Sequence, residues 1–276
     1  MKNMIKVILV LIFLISLASC EKNSVSTDDN NWTAEFSTPN EETTISKSTE
    51  TDAVVDFDFH NGGLEYVYSK LLEVKENHSQ SKTAEENWWG NDVNLKEMTL
   101  SFVQGYFFQT YGDQIGELEY DKALEPGLMA AQMSADDAIE YVMLSNLNTV
   151  TKSYIDQILS IDMKNFGTVE SSLKKIRNDA RKELSGDDLA TVLNIIEISL
   201  SSAKYWKDNL DKWAALFEES EEQPAYASWW ENILIGDMAG AAVGQIAGGG
   251  DGNIGGTASL VSSAVVAVVE LWDWWF

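Results

Sequence analysis

The sequence predicts an all-α protein: a helical bundle ending in a glycine-zipper helical hairpin, preceded by a signal peptide and a disordered tether. Three observations carry this. From about residue 60 onward the apolar residues recur at three and four, which places them on one helical face. Gly236, Gly240, Gly244, Gly248, Gly252 and Gly256 fall at a strict period of four. No segment alternates convincingly between apolar and polar residues, and Ala53 to Phe59 is the one stretch that could extend as a strand.

The first element is an address. Lys2 and Lys6 precede an apolar run from Val7 to Leu17, which is followed by Ala18, Ser19 and Cys20. A basic start, an apolar middle and small residues at the cut are the layout of a secretory signal peptide. The run is short of the roughly 20 apolar residues that a spanning helix needs. Leu17-Ala18-Ser19-Cys20 resembles the lipobox of bacterial lipoproteins, which implies cleavage after residue 19 and acylation of Cys20. Cys20 is the single cysteine, so no internal disulfide competes for it. The expected partner of this end is therefore a membrane, reached through the N-terminal lipid. The resemblance places the protein in the cell envelope. Glu21 stands where an Asp would argue for inner-membrane retention, so the outer membrane is expected, with surface exposure left open.

Residues 20–55 read as the tether. After Cys20 they hold many Ser and Thr, eight acids and two lysines, with too few large apolar residues to bury a core. Loss of Lys2 and Lys6 from the 19 cations leaves 17 against 44 acids, a formal charge of −27. Such a surface repels phosphate backbones, which excludes nucleic-acid binding by counterion release.

Residues 56–224 form the predicted helical domain. Leu64, Val67, Tyr68 and Leu71 define a first stripe, with Asn61 as its expected cap. Asn94 and Glu97 have capping-box spacing ahead of Met98, Phe102 and Tyr106. Ser134 and Asp137 repeat that device before a stripe running from Ile139 to Ile161. Thr168 is the expected cap of the next helix, with Val169, Leu173, Ile176 and Ala180. The longest stripe starts near Asp187 and steps through Val192, Ile196, Ala203, Trp206 and Trp213 to Phe217.

Residues 225–276 form the hairpin. Gly236, Gly240, Gly244 and Gly248 share a helical face. Each interior glycine costs about 1 kcal/mol relative to alanine, so close approach of a partner helix is the expected compensation. Gly248 to Gly256 reads as the turn, and Ser259, Ser263 and Ala267 place small residues four apart on the return helix. Trp229 and Trp230 precede the first helix, while Trp272, Trp274 and Trp275 end the second, so both clusters fall at one end of an antiparallel pair. Tryptophans at one level suit a membrane interface. Three readings stay open: a hairpin buried in the bundle, a hairpin inserted in a membrane, and self-association through the glycine face. Each helix offers about 15 suitable residues, roughly 22 Å, short of a 30 Å hydrocarbon core. Asp237 and Asp251 would also be costly in lipid.

Phe59-His60-Asn61-Gly62-Gly63-Leu64-Glu65-Tyr66-Val67 resembles a motif that opens many uncharacterised exported proteins of Bacteroidota, which also end in an Ala/Gly-rich hydrophobic segment. The resemblance covers the signal, this motif and the region after Trp230. It implies an envelope or surface protein and brings no activity, with His60 and Asn61 the possible interaction residues. A looser similarity of type, to pore-forming colicins and glycine-zipper bacteriocins, implies a membrane-active alternative.

Chemistry is sparse. Two histidines, His60 and His78, have no cysteine to join them in a metal site, and no metal or cofactor is expected. No Ser sits in a nucleophile-elbow glycine pattern, and no glycine loop is followed by Lys and Ser or Thr. Asp251-Gly252-Asn253 lacks the calcium-loop spacing. Arg177 and Arg181, with Lys174, Lys175 and Lys182, form one basic face amid acids such as Glu170, Asp179 and Glu183. The expectation is a non-enzymatic, lipid-anchored helical protein that acts on a protein partner, with insertion of the hairpin as the alternative. The lipobox reading is checked by fatty-acid labelling in the producing bacterium. Wild-type chain should incorporate label and fractionate with membranes, whereas Cys20→Ser should do neither.

Overall fold

Caps and apolar stripes decide where the chain turns helical. The computed structural model describes residues 57–79, 92–112, 117–216 and 226–275, and among these nine α-helices and no strand occur. Residues 1–56, which hold the expected signal peptide, Cys20 and the expected tether, lie outside the described residues, as do Phe217 to Pro224. So do the side chains of Trp229, Trp272, Trp274 and Trp275. All nine helices belong to one compact unit from Glu50 to Phe276.

Helix α1 (Phe57–Ser79) buries Leu64, Val67 and Leu71 as the stripe predicts. It starts ahead of Asn61, which is therefore not its cap, and Phe57 to Phe59 is helical rather than extended. His78 lies in its last turn and not in a loop. The earlier start follows from packing, because Phe59 and His60 are themselves buried. Helix α2 (Asp92–Tyr111) begins two residues before the expected Asn94. Its buried row is Leu95, Thr99, Val103 and Phe107, with Met98, Phe102 and Tyr106 half-buried beside it.

Helix α3 (Glu117–Ala130) is not legible from spacing, since Pro126 and Gly127 lie inside it. The glycine is needed there, because a Cβ at Gly127 would lie 2.7 Å from both the Ala258 carbonyl oxygen and Val261 Cβ. The single stripe expected from Ile139 to Ile161 is two helices, α4 (Ala135–Leu144) and α5 (Thr149–Leu159). The expected capping box opens α4: Asp137 N donates to Ser134 Oγ at 3.2 Å and Ser134 N to Asp137 Oδ2 at 3.1 Å. The break comes from Asn148, whose side chain accepts from Val150 N and Thr151 N, both at 2.9 Å.

Asn165 rather than Thr168 caps α6 (Phe166–Glu183), accepting from Thr168 N at 2.9 Å. Its predicted row Val169, Leu173, Ile176 and Ala180 is buried. Helix α7 (Gly186–Ala214) has 29 residues, about 44 Å at 1.5 Å per residue. Val192, Ile196, Ala203, Trp206 and Trp213 are its buried face.

The hairpin is α8 (Tyr226–Ala247) and α9 (Gly252–Trp275). Trp229 and Trp230 thus lie inside the first helix. The turn is shorter than Gly248 to Gly256. Gly249, at φ 64°, closes α8 in a Schellman arrangement, with Gly250 N donating to Gln245 O at 2.8 Å and Gly249 N to Ile246 O at 3.2 Å. Asp251 then caps α9, its side chain accepting from Asn253 N at 2.8 Å.

The glycine face meets its partner helix closely. A Cβ at Gly240 would be 2.7 Å from Ser259 Cα and 2.9 Å from the Ala258 carbonyl oxygen. One at Gly244 would be 2.6 Å from Ala258 Cβ and 2.9 Å from Gly255 Cα, one at Gly236 2.9 Å from Val266, and one at Gly248 2.9 Å from Ile254. The facing row on α9 is therefore Gly255, Ala258, Ser259, Ser262 and Val266. Of the expected Ser259, Ser263 and Ala267, only Ser259 lies in this seam. Ser263 faces α7, and Ala267 is fully buried. Helices α1, α2, α3 and α7 pack on α9, and α3, α4, α5 and α7 on α8. The hairpin is the centre of the fold, which accounts for its being apolar all round.

A paired substitution tests the seam by urea unfolding. Gly240→Ala should cost about 1–3 kcal/mol, because a methyl group would strike backbone on α9. Gly105→Ala, whose Cβ would sit at an ordinary 3.5 Å from the Tyr66 hydroxyl, should stabilise α2 by about 0.5–1 kcal/mol through helix propensity.

Candidate functional site

Asp237 is the only charged residue between Glu231 and Asp251, and its side chain is fully buried. A carboxylate removed from water is tolerable only if donors surround it. Helix α7 supplies two from one face, since Ser202 and Trp206 are one turn apart. Ser202 Oγ donates to Asp237 Oδ2. Trp206 Nε1 donates to the same oxygen at 3.0 Å and shares its hydrogen with Ser263 Oγ of α9 at 3.2 Å. The backbone beside Asp237 is tied as well. Ser259 Oγ donates to Asp237 O at 3.0 Å, and Ser262 Oγ to Gly236 O at 2.8 Å.

Helix α1 contributes the fourth wall. His60 is buried, and its Nε2 faces Asp237 Oδ1 at 3.7 Å. Neither atom has a hydrogen-bond partner. On the other side of the ring, Nδ1 lies 3.0 Å from Asn61 Oδ1. Asn61 Nδ2 donates to Ser201 Oγ at 2.8 Å and to the Ser201 carbonyl oxygen at 3.4 Å; the carbonyl can only accept, which leaves Asn61 Oδ1 to accept from His60 Nδ1. Hydrogen bonds thus run from Ser201 through Asn61 to His60, whose ring faces Asp237 without a hydrogen bond, and the cluster brings α1, α7, α8 and α9 together inside an apolar core.

These residue types are those of a hydrolase triad, but the arrangement is not. The Ser202 hydroxyl donates to the carboxylate instead of to the imidazole. His60, Ser202 and Asp237 are all buried, so the cluster offers no surface to a substrate. Its chemistry is that of a clamp. Beside it, Trp206 and Trp213 stack with centroids 5.2 Å apart, and Trp213 Nε1 donates to the Tyr205 hydroxyl at 2.8 Å. Burial pushes the Tyr205 phenol well above its ordinary range.

The motif that opens α1 is spent on packing. His60 and Asn61 point inward. Gly62 makes room for the Tyr106 hydroxyl, and Gly63 for Leu260 of α9. Trp230 does not mark an outer interface either, since it is buried and its Nε1 donates to Met163 O at 2.7 Å. The basic face is neutralised in part, with Arg181 exposed and outside the ion pairs. Arg177 pairs with Glu197 at 2.8 Å, Lys174 with Glu170, and Lys175 and Lys182 both with Asp179. These bonds hold the Asp179 carboxyl down at about 2, chiefly through Lys182 and then Lys175. Among the described residues no group of three or more His, Cys, Asp or Glu could hold a metal ion.

Spacing alone does not join Ser202, Trp206 and Ser263 to Asp237. The one available signal is an acid set in the apolar stretch between Glu231 and Asp251, which calls for a partner without naming it. No family model, curated protein or solved structure matches this chain.

A double-mutant cycle in thermal or urea unfolding tests the clamp. His60→Gln and Asp237→Asn should each destabilise by about 2–4 kcal/mol. Their sum should exceed the double mutant by about 0.5–3 kcal/mol. Additivity would mean that the imidazole and carboxylate do not interact.

Proposed function

We propose that this chain is a lipid-anchored protein of the cell envelope that works without catalysis, through contact with another protein. The observation that supports this reading is the use made of the hairpin. Its glycine face is filled by its own return helix, its tryptophan at 230 is bonded inward, and its fully buried acid, Asp237, is enclosed by three other helices. The element most suggestive of membrane action is thereby committed to the core, and the outer surface is what remains to act. On this reading acylation at Cys20 fixes one end to the membrane, and the acidic Ser- and Thr-rich segment after it links that anchor to the helical unit.

One observation favours the membrane-active reading. Residues Gly252–Glu270 form a stretch of 19 residues apolar enough to cross a membrane, about 28 Å of helix and close to a hydrocarbon core. It is longer than the spacing predicts because Gly252 to Gly256 stay helical, with Gly255 packed under Gln245. Yet 89% of this stretch is buried inside the protein, as the core helix of a bundle would be.

Dye release from liposomes separates the two readings, with the chain from residue 20 onward carrying Cys20→Ser. The contact reading expects intact vesicles from the folded protein, and expects Gly240→Leu to abolish cooperative unfolding. Release by the folded protein that disappears with Gly240→Leu or Gly244→Leu would sink it in favour of the membrane-active reading.

A further inference from the structure

Among the described residues, three of the four exposed large apolar side chains, all but Val269, fall in one stretch. Leu144 is 79% exposed, Val150 46% and Met143 41%, and all three fall within eight residues at the junction of α4 and α5. This is not a frayed end. Ser145 Oγ and N both donate to Val142 O, at 2.7 and 3.1 Å, which closes α4. Lys152 Nζ reaches back from α5 to Met143 O at 2.8 Å and to Ser145 O at 2.6 Å. Asn148 fixes the first turn of α5 with two bonds, and Thr151 Oγ1 donates to Asp188 Oδ1 of α7 at 2.9 Å. The apolar knuckle is held rigidly outward, against the usual preference for burying leucine.

Its rim carries one sign of charge. Asp136, Glu140 and Leu144 follow one another at four-residue spacing along α4, and all three are exposed. Between residues 131 and 163 there are five acids and one cation, Lys152, whose ammonium is occupied by the α4 carbonyls. Asp188 of α7 is bonded to Thr151, the residue after Val150. Like charges across an interface disfavour docking, so this rim works against a second copy of the chain, against the acidic tether and against anionic lipid.

We propose that the Met143–Leu144–Val150 knuckle docks a protein segment that is apolar and basic, such as an amphipathic helix with Leu on one face and Lys or Arg beside it. The proposal rests on the protein-contact reading and names the chemistry of the partner. Apolar side chains of that segment cover Leu144 and Val150, and its cations meet Asp136, Glu140 and Asp188. The division of labour is the usual one, in which apolar anchors supply affinity and the charged rim supplies orientation and choice of partner.

The test uses the chain from residue 20 onward with Cys20→Ser, and three synthetic peptides: a Leu/Lys amphipathic helix, a Leu/Glu counterpart and a Ser/Lys peptide without leucine. Binding is followed by fluorescence anisotropy and by methyl chemical shifts. The Leu/Lys peptide should bind, shift the methyls of Met143, Leu144 and Val150, and bind much more tightly than either control. Leu144→Ser with Val150→Ser keeps the charge and should weaken that binding about tenfold or more, as removal of two apolar anchors predicts, while the melting temperature stays within a few degrees. Equal binding by that variant would overturn the proposal in favour of diffuse attraction to an acidic protein. Equal binding of the Leu/Glu peptide would overturn the role of the rim. A dimer or vesicle association that disappears in the variant would assign the knuckle to a second copy or to lipid. Hairpin-dependent dye release alongside specific Leu/Lys binding would overturn the contact reading of the whole protein and leave the docking surface standing.

Discussion

The fold depends on how closely α8 and α9 approach. At Gly240 and Gly244 the space that a Cβ would occupy is filled by the backbone of the opposite helix. Such an approach exchanges the poor helix propensity of glycine for continuous van der Waals contact along the seam. It also sets the distance at which the flanking helices meet the pair. Helix α3 uses the same device at Gly127, and α1 at Gly63, so the hairpin is sheathed by neighbours that give up side chains to reach it. Large residues then fill the outer layers, among them Leu64, Leu71, Ile195 and Trp206.

A seam of small residues is smooth, and smooth seams slide. The polar junction at Asp237 supplies the registration that apolar packing lacks. Ser202 and Trp206 fix α8 against α7, Ser263 brings in α9, and His60 brings in α1. Ser259 and Ser262 add bonds from α9 to the α8 backbone at the same level. A misplaced helix would leave a buried carboxylate without donors, a larger penalty than exposing any single methylene. One buried acid in the apolar interior of α8 therefore selects one packing among several of similar apolar burial.

The exterior follows different rules. Its charge is overwhelmingly negative, and Lys174, Lys175, Arg177 and Lys182 of α6 are paired with neighbouring acids. That surface resists contact with phosphate, anionic lipid and copies of itself. Against this background the α4–α5 junction differs, because several hydrogen bonds hold apolar side chains outward. The proposed protein-contact function draws on that contrast, with the hairpin as internal support.

Local chemistry is enough for much of the architecture. The all-helical class, the rows on α1, α6 and α7, the Ser134–Asp137 capping box and the glycine face of α8 each depend on neighbours three or four residues away. Interactions of that range are written directly in the order of the residues. Helix limits are less legible wherever a cap competes with a stripe, as at Asn148 and Asn165, or where packing extends a helix, as at Phe59 and Gly252. Helix α3 is hidden by Pro126 and Gly127, which argue against a helix until α9 is seen to need the space. The polar junction is illegible, since His60, Ser202, Asp237 and Ser263 are far apart in the chain and meet only when four helices assemble. Residue order alone thus settles which segments coil and which of their faces are apolar. Assembly settles that the hairpin is the core and that His60 faces inward, because burial and polar pairing are properties of helices in contact.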